Sequence, residues 1–237
     1  MGARPAPEAL RARTVYGRLP GMTEILGPGI GDYVLAHCTP ADEVLRDLAA
    51  ETREALPPED AGMQISPDEG ALLTMLVRLT GARYAVEVGV FTGYSSICIA
   101  RGLQPGGKLL ACDVSPEWTA VARRYWARAG LAGGIELRLA PAIETLQALA
   151  PDPVIDFAFV DADKIGYPAY YEELVPRLRP GGLMALDNVL RGGRVLHPTV
   201  PADRAIAELN DRIVGDERVE AVMLPVRDGV TLVRKRD

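Results

Sequence analysis

From Tyr84 onward the chain alternates short apolar runs with amphipathic stretches. YAVEVGV, KLLACDV, IELRLA, IDFAFVDA and GLMALDN each precede a segment whose apolar residues recur at helical spacing. Such regular alternation predicts βαβ crossovers and a parallel sheet. VEAVMLP and GVTLVRK close the pattern, joined by Pro225-Val226-Arg227-Asp228-Gly229, whose Asp-Gly step is a hairpin signal. The expected fold class is α/β: a doubly wound, mostly parallel sheet ending in an antiparallel C-terminal hairpin.

Upstream, Pro28 to Ala36 and Pro40 to Ala55 carry helical spacing, with Thr39 or Asp42 as the cap of the second stretch; both read as lid helices. Ser66-Pro67-Asp68-Glu69 reads as an N-cap, a proline at the first helical position and a carboxylate three residues on, opening the apolar helix Ala71 to Leu79. No internal repeat or low-complexity linker interrupts the chain. The whole of 1–237 is expected to form one domain, with a tail and lid helices in 1–60 and the ligand-binding core in 63–237.

Composition narrows the partners. A net charge of −6 and a pI near 5.1 oppose nucleic-acid binding, no apolar run is long enough to cross a bilayer, and a small-molecule substrate is favoured. Cys38, Cys98 and Cys112 are far apart, two of them in core-like apolar stretches, and they suggest reduced thiols in a cytoplasmic protein. The opening MGARPAPEALRAR lacks a secretory apolar region and contains Glu8, so it reads as a tail. Three lysines beside twenty-three arginines point to a GC-rich bacterial source.

Doubly wound sheets bind ligands at the carboxyl ends of their strands, so the chemistry should lie there. The first strand enters Glu87-Val-Gly89-Val-Phe-Thr92-Gly93-Tyr-Ser95, a glycine turn that reads equally as a ligand loop or a structural βα turn. Its G-x-x-x-G spacing suits a dinucleotide less well than G-x-G-x-x-G, whereas Glu87 near the amino group of S-adenosylmethionine is sensible chemistry. Asp113 ends the second strand, where it can accept ribose hydroxyls or cap the helix after Ser115-Pro116. Ala140-Pro141-Ala142 can border an adenine or simply pack tightly. Asp161, Asp187 and the Asn188 amide supply hard oxygens for half of an octahedral magnesium shell, leaving room for water and two adjacent substrate oxygens. Asp163 reads better as a helix cap or turn. Lys164 can lose its proton and act as a base, which arginine cannot. His37 and His197 fit no ligand or triad pattern.

Taken together, MQISPDEG at Met63 to Gly70, EVGVFTGYS at Glu87 to Ser95, FVDADK at Phe159 to Lys164 and Asp187-Asn188 closely resemble the cation-dependent O-methyltransferases, the group of caffeoyl-CoA O-methyltransferase and, more distantly, catechol O-methyltransferase. The resemblance implies a seven-stranded class I methyltransferase sheet. It implies S-adenosylmethionine contacts at Glu87, Gly89, Thr92, Ser95, Asp113, Ala142 and Asp161, with Met63 at the methionine end. It implies a divalent cation on Asp161, Asp187 and Asn188, magnesium first with manganese or calcium as alternatives, and Lys164 as general base beside Asp161. A homodimer is the common assembly of that group. Two departures stand out: Ala140 replaces a common glycine, and Arg191 occupies a position where tryptophan is frequent, which points to an anionic or more polar acceptor. The expected reaction is methyl transfer to a hydroxyl of a catechol-like aromatic or vicinal diol, in bacterial secondary metabolism. An NAD-dependent oxidoreductase and a non-catalytic S-adenosylmethionine-binding protein are the alternatives.

Overall fold

The computed structural model describes residues 29–237, so the expected N-terminal tail and Pro28 lie outside the described residues. Helices α1 (Ile30–Ala36) and α2 (Glu43–Ala55) precede a single turn, α3 (Pro58–Ala61), and then α4 (Pro67–Leu79). Asp42, not Thr39, caps α2, its Oδ1 accepting the Leu45 N–H at 3.1 Å. Strands and helices then alternate: β1 (Tyr84–Val88), α5 (Tyr94–Gly102), β2 (Lys108–Asp113), α6 (Pro116–Arg128), β3 (Ile135–Leu139), α7 (Ala142–Gln147), β4 (Ile155–Val160), α8 (Tyr167–Arg177) and β5 (Leu178–Asp187). A 3-10 segment (Arg191–Leu196), α9 (Pro201–Val214) and the hairpin of β6 (Val219–Leu224) and β7 (Val230–Lys235) complete the chain.

The seven strands lie in the order β3-β2-β1-β4-β5-β7-β6. The first five are parallel, and β7 runs antiparallel between β5 and β6. The period of two along each strand sends successive residues to opposite faces. Val86, Val88, Ala158, Val160 and Leu186 join a core under α8 and α9. Ala85, Phe157, Phe159 and Ala185 join another under α2, α4 and α5. Both faces of the central strands are therefore apolar, which is why they read as continuous apolar runs. Cys98 and Cys112 are buried free thiols, and burial pushes both up to about 12. Among the described residues, no helix is long and apolar enough to cross a membrane.

The capping box expected at Ser66 does not form. Proline does open α4, but the Ser66 hydroxyl makes no cap bond and is buried without a partner. Glu69 turns inward instead, at 0 % exposure, where its Oε2 accepts from Arg227 Nη1 at 3.0 Å. Burial against the core outcompetes the local backbone bond because a guanidinium is there to meet the carboxylate.

Candidate active site

β2, β1, β4 and β5 end level with one another. Val88 pairs with Cys112 on one side and Val160 on the other, and Val160 pairs with Leu186. Asp113, Gly89, Asp161 and Asp187 thus form a row across neighbouring strands, with steps of about 4.8 Å. The chain leaves β1 toward β2 and β3, then crosses back to β4, so the crevice of this reversal opens at that row. Gly89 has φ +93°, and a Cβ there would stand 2.0 Å from the Asp161 carbonyl oxygen. Only glycine lets the first loop pass so close to β4.

The strand ends face a cavity of about 570 Å³, a size typical of small-ligand sites. Met63, Gly89, Ser95, Asp113, Ala142 and Asp161 line it, as do Lys164, Asn188 and Arg191. Ala140 and Pro141 border the same space. Glu87 and Asp187 are fully buried and stand behind this wall. Thr92 is absent from the wall: its hydroxyl accepts from the Thr52 hydroxyl at 3.0 Å, so its side chain ties α2 to the loop after β1. Phe91 and Trp118 add an edge-on aromatic pair to the wall, with ring centroids 5.0 Å apart.

Asp113 ties two loops together. Its Oδ2 accepts the Val90 and Phe91 N–H groups at 2.8 and 2.9 Å, and its Oδ1 accepts Ser115 N–H at 2.8 Å. Three of the roughly four acceptor sites of a carboxylate are thereby occupied, leaving about one for a ligand. Asp163 likewise serves the backbone, accepting Gly166 N–H at 2.8 Å and the Tyr170 hydroxyl at 2.5 Å. His37 stacks on Tyr33 and approaches its carbonyl oxygen at 2.7 Å, far in kind from any catalytic pairing.

Lys164 is held from two sides. Its Nζ donates to Asp161 Oδ1 at 2.9 Å and to the Tyr167 hydroxyl at 2.8 Å. That hydroxyl lies within hydrogen-bond distance of the Val160 and Asp187 carbonyl oxygens, which leaves its oxygen free to accept from lysine. Burial, reinforced by Asp161 and Asp187, pushes the Tyr167 phenol well above its ordinary range. Asp187 Oδ1 accepts the N–H of Asn188, which sits in the left-handed region at φ +56°, while Oδ2 is buried with no partner. Burial, then Glu69 and Asp161, push the Asp187 carboxyl well above its ordinary value. Burial likewise raises Glu87 to about 8 against the opposing Ser95 and Ser96 hydroxyls, and its Oε1 has no partner.

Sequence reasoning missed Glu69, Arg227 and Tyr167. Burial raises the Glu69 carboxyl even though Arg227 opposes it. The cluster of Asp161, Asp187 and Glu69 against Lys164 and Arg227 leaves an excess of one formal negative charge when all ionise. Two buried carboxylate oxygens without partners, Asp187 Oδ2 and Glu69 Oε1, mark where that charge is uncompensated. The hard-oxygen set of Asp161, Asp187 and Asn188 fits a divalent cation on this ground. Among the described residues no group of three His, Cys, Asp or Glu side chains is arranged to hold a metal; the expected set has only two carboxylates and an amide.

A parallel sheet with an inserted antiparallel β7 and a cavity at its reversal point defines the class of S-adenosylmethionine-dependent methyltransferases. A model of the O-methyltransferase family matches residues 36–236, and the chain belongs to that family. It is 38% identical over 210 residues to a Dictyostelium discoideum protein named "Probable caffeoyl-CoA O-methyltransferase 1", covering 86% of this chain and 90% of that one. The O-methyltransferase of Bacillus cereus, solved with S-adenosylhomocysteine, superposes with a TM-score of 0.79 at 32% identity, covering 87% of this chain and 97% of its own. The O-methyltransferase TomG of Streptomyces achromogenes, solved with S-adenosylmethionine and involved in tomaymycin synthesis, gives 0.79 at 30% identity over 88% and 96% of the two chains. This chain is therefore an S-adenosylmethionine-dependent O-methyltransferase acting on a small molecule, which sets aside the dinucleotide oxidoreductase and the non-catalytic binding protein.

Proposed function

We propose that the enzyme methylates one hydroxyl of a catechol-like acceptor, with a divalent cation held by Asp161, Asp187 and Asn188 and with Lys164 as the proton acceptor. The observation that carries this reading is Asp187 Oδ2, a buried carboxylate oxygen without a partner, one strand away from Asp161 and its lysine. When bound, the cation would make a chelated hydroxyl more acidic and S-adenosylmethionine would supply an electrophilic methyl group.

The protein's own residues do the rest. Asp161, which would help hold the cation, also accepts from Lys164 Nζ and so keeps that amine next to the proposed reaction site. Tyr167 accepts from Nζ and fixes where the acceptor's proton goes. Glu87, Ser95, Asp113, Ala142 and Met63 are the cofactor contacts of this reading, with Gly89 giving the backbone its close approach and Thr92 acting through the lid. Glu87 is neutral below about pH 8 when no cation is near, and a ligand ammonium would favour its ionised form. The cavity walls would hold acceptor and cofactor together, and proximity is the main catalytic effect of this reading.

Asp187→Ala tests the assignment. Turnover should fall to background while S-adenosylhomocysteine affinity, read by calorimetry, stays within about threefold. Wild-type rates from this variant would sink the proposal. The working setting we propose is a cytoplasmic homodimer of one-domain chains in bacterial secondary metabolism; support comes from the buried thiols and from the likeness to TomG.

A further inference from the structure

Arg191 stands on the cavity wall beside the proposed chemistry and shares its carboxylate partner with a second arginine. Its Nε donates to Asp203 Oδ1 at 3.1 Å, and Arg194 Nε donates to Oδ2 of the same carboxylate at 2.9 Å. Asp203 is 0 % exposed. Burial raises its carboxyl, but Arg194 and Arg191 outweigh burial and hold it below the ordinary range. One buried carboxylate thus serves two guanidinium groups, leaving one formal positive charge in excess. Arg194 is half exposed to solvent, whereas Arg191 is the member that lines the cavity.

The other cations of the cavity are already matched: Lys164 by Asp161 and Arg227 by Glu69. With Nε fixed by Asp203, Arg191 keeps its two Nη groups as a planar, preorientated pair of donors, the geometry that receives a carboxylate. The loop is built to hold it there. Asn188 and Arg191 both adopt left-handed backbone, at φ +56° and +52°, and Val189 and Leu190 donate N–H groups to the Gly229 and Asp228 carbonyls at 3.1 and 2.9 Å. Gly192 N–H adds a bond to the Asp228 side chain at 2.5 Å. Arg191 is three positions along the chain from Asn188, so their Cα atoms are at most about 11 Å apart. One substituted aromatic ring bridges such a span.

We propose that Arg191 is a specificity-determining residue and that the acceptor is an aromatic acid whose carboxylate pairs with its guanidinium while the hydroxyls point to Asn188 and Lys164. Asp203 is then a positioning residue. This rests on the methyl-transfer reading of the same cavity, and the two can fail separately.

Protocatechuate, a catechol with one ring carboxylate, and its neutral methyl ester are the probes. Their affinity is measured by calorimetry on enzyme saturated with S-adenosylhomocysteine and magnesium, and their turnover by S-adenosylhomocysteine release, for wild type, Arg191→Met and Arg191→Lys. Wild type should bind the acid at least about tenfold more tightly than the ester, the scale of a charge-assisted contact. Arg191→Met should lose that preference through acid affinity and KM, leaving the ester within about twofold, and Arg191→Lys should restore part of it. Equal wild-type affinity for acid and ester, or a preference that survives in Arg191→Met, overturns the proposal. A binding preference without turnover of either probe upholds the anion anchor and counts against the catechol reaction.

Discussion

Glu87 and Glu69 are both fully buried, and burial raises both carboxyls, but only Glu69 has a counter-cation, Arg227. Glu87 is raised from 4.5 to about 8 mainly by burial. Its folded-state pKa exceeds the unfolded value, so the native state holds the proton more tightly, and stability declines as pH rises through the window between those two values. Within that window Glu87 should cost up to about 1.4 kcal/mol per pH unit. Urea denaturation of wild type and Glu87→Gln at pH 5 and pH 8 checks this: the variant should gain on wild type at the higher pH, and parallel pH profiles would contradict it. Glu69 is raised too, but it has a buried cation that depends on it. Removing it leaves Arg227 buried and unpaired, so Glu69→Ala should lower the unfolding free energy by about 3 kcal/mol. Ser66→Ala, which removes a hydroxyl that caps nothing, should change it by less than about 0.5 kcal/mol. Glu69 was legible as a helix-start residue but not as an ion-pair partner, because Arg227 lies 158 residues away and no local rule links them. Asp161, Lys164, Asp187 and Asn188 could be placed on one rim from sequence because each follows an apolar strand; the Thr92 pairing could not, since its partner Thr52 belongs to α2, whose docking is set by tertiary packing.

At the level of elements, the glycine turn after β1 separates strain from contact. Gly89 and Gly130 both adopt left-handed backbone, at φ +93° and +71°, but a Cβ on Gly130 would meet nothing within 4 Å. Gly130→Ala should therefore cost about 1 kcal/mol. Gly89→Ala must also displace the Asp161 carbonyl, so it should cost at least about 3 kcal/mol and weaken S-adenosylhomocysteine binding. Thermal unfolding and calorimetry of the two variants read the contrast, and equal effects would refute the argument. The strands themselves were legible because burial on both faces writes itself as unbroken apolar sequence, and the Asp228-Gly229 step located the hairpin. The start of β5 was not: the apolar run GLMALDN begins at Gly182, whereas the strand begins at Leu178 beside Ile155.

On the scale of the whole molecule, alternation alone implies a parallel, doubly wound sheet but leaves the strand order open. The observed order puts the reversal between β1 and β4, and β7 between β5 and β6. That order sets the first glycine loop beside Asp161 and brings the hairpin's Arg227 to Glu69, so a single cavity gathers residues from Gly62 to Arg227. The proposed chemistry depends on the excess negative charge of that cluster being met by a divalent cation. The most direct test is S-adenosylhomocysteine formation from catechol acceptors, including a ring carboxylate, with magnesium, then with excess EDTA, then with magnesium restored. We predict turnover that EDTA abolishes and magnesium returns; turnover undiminished in EDTA would contradict the cation-dependent reaction.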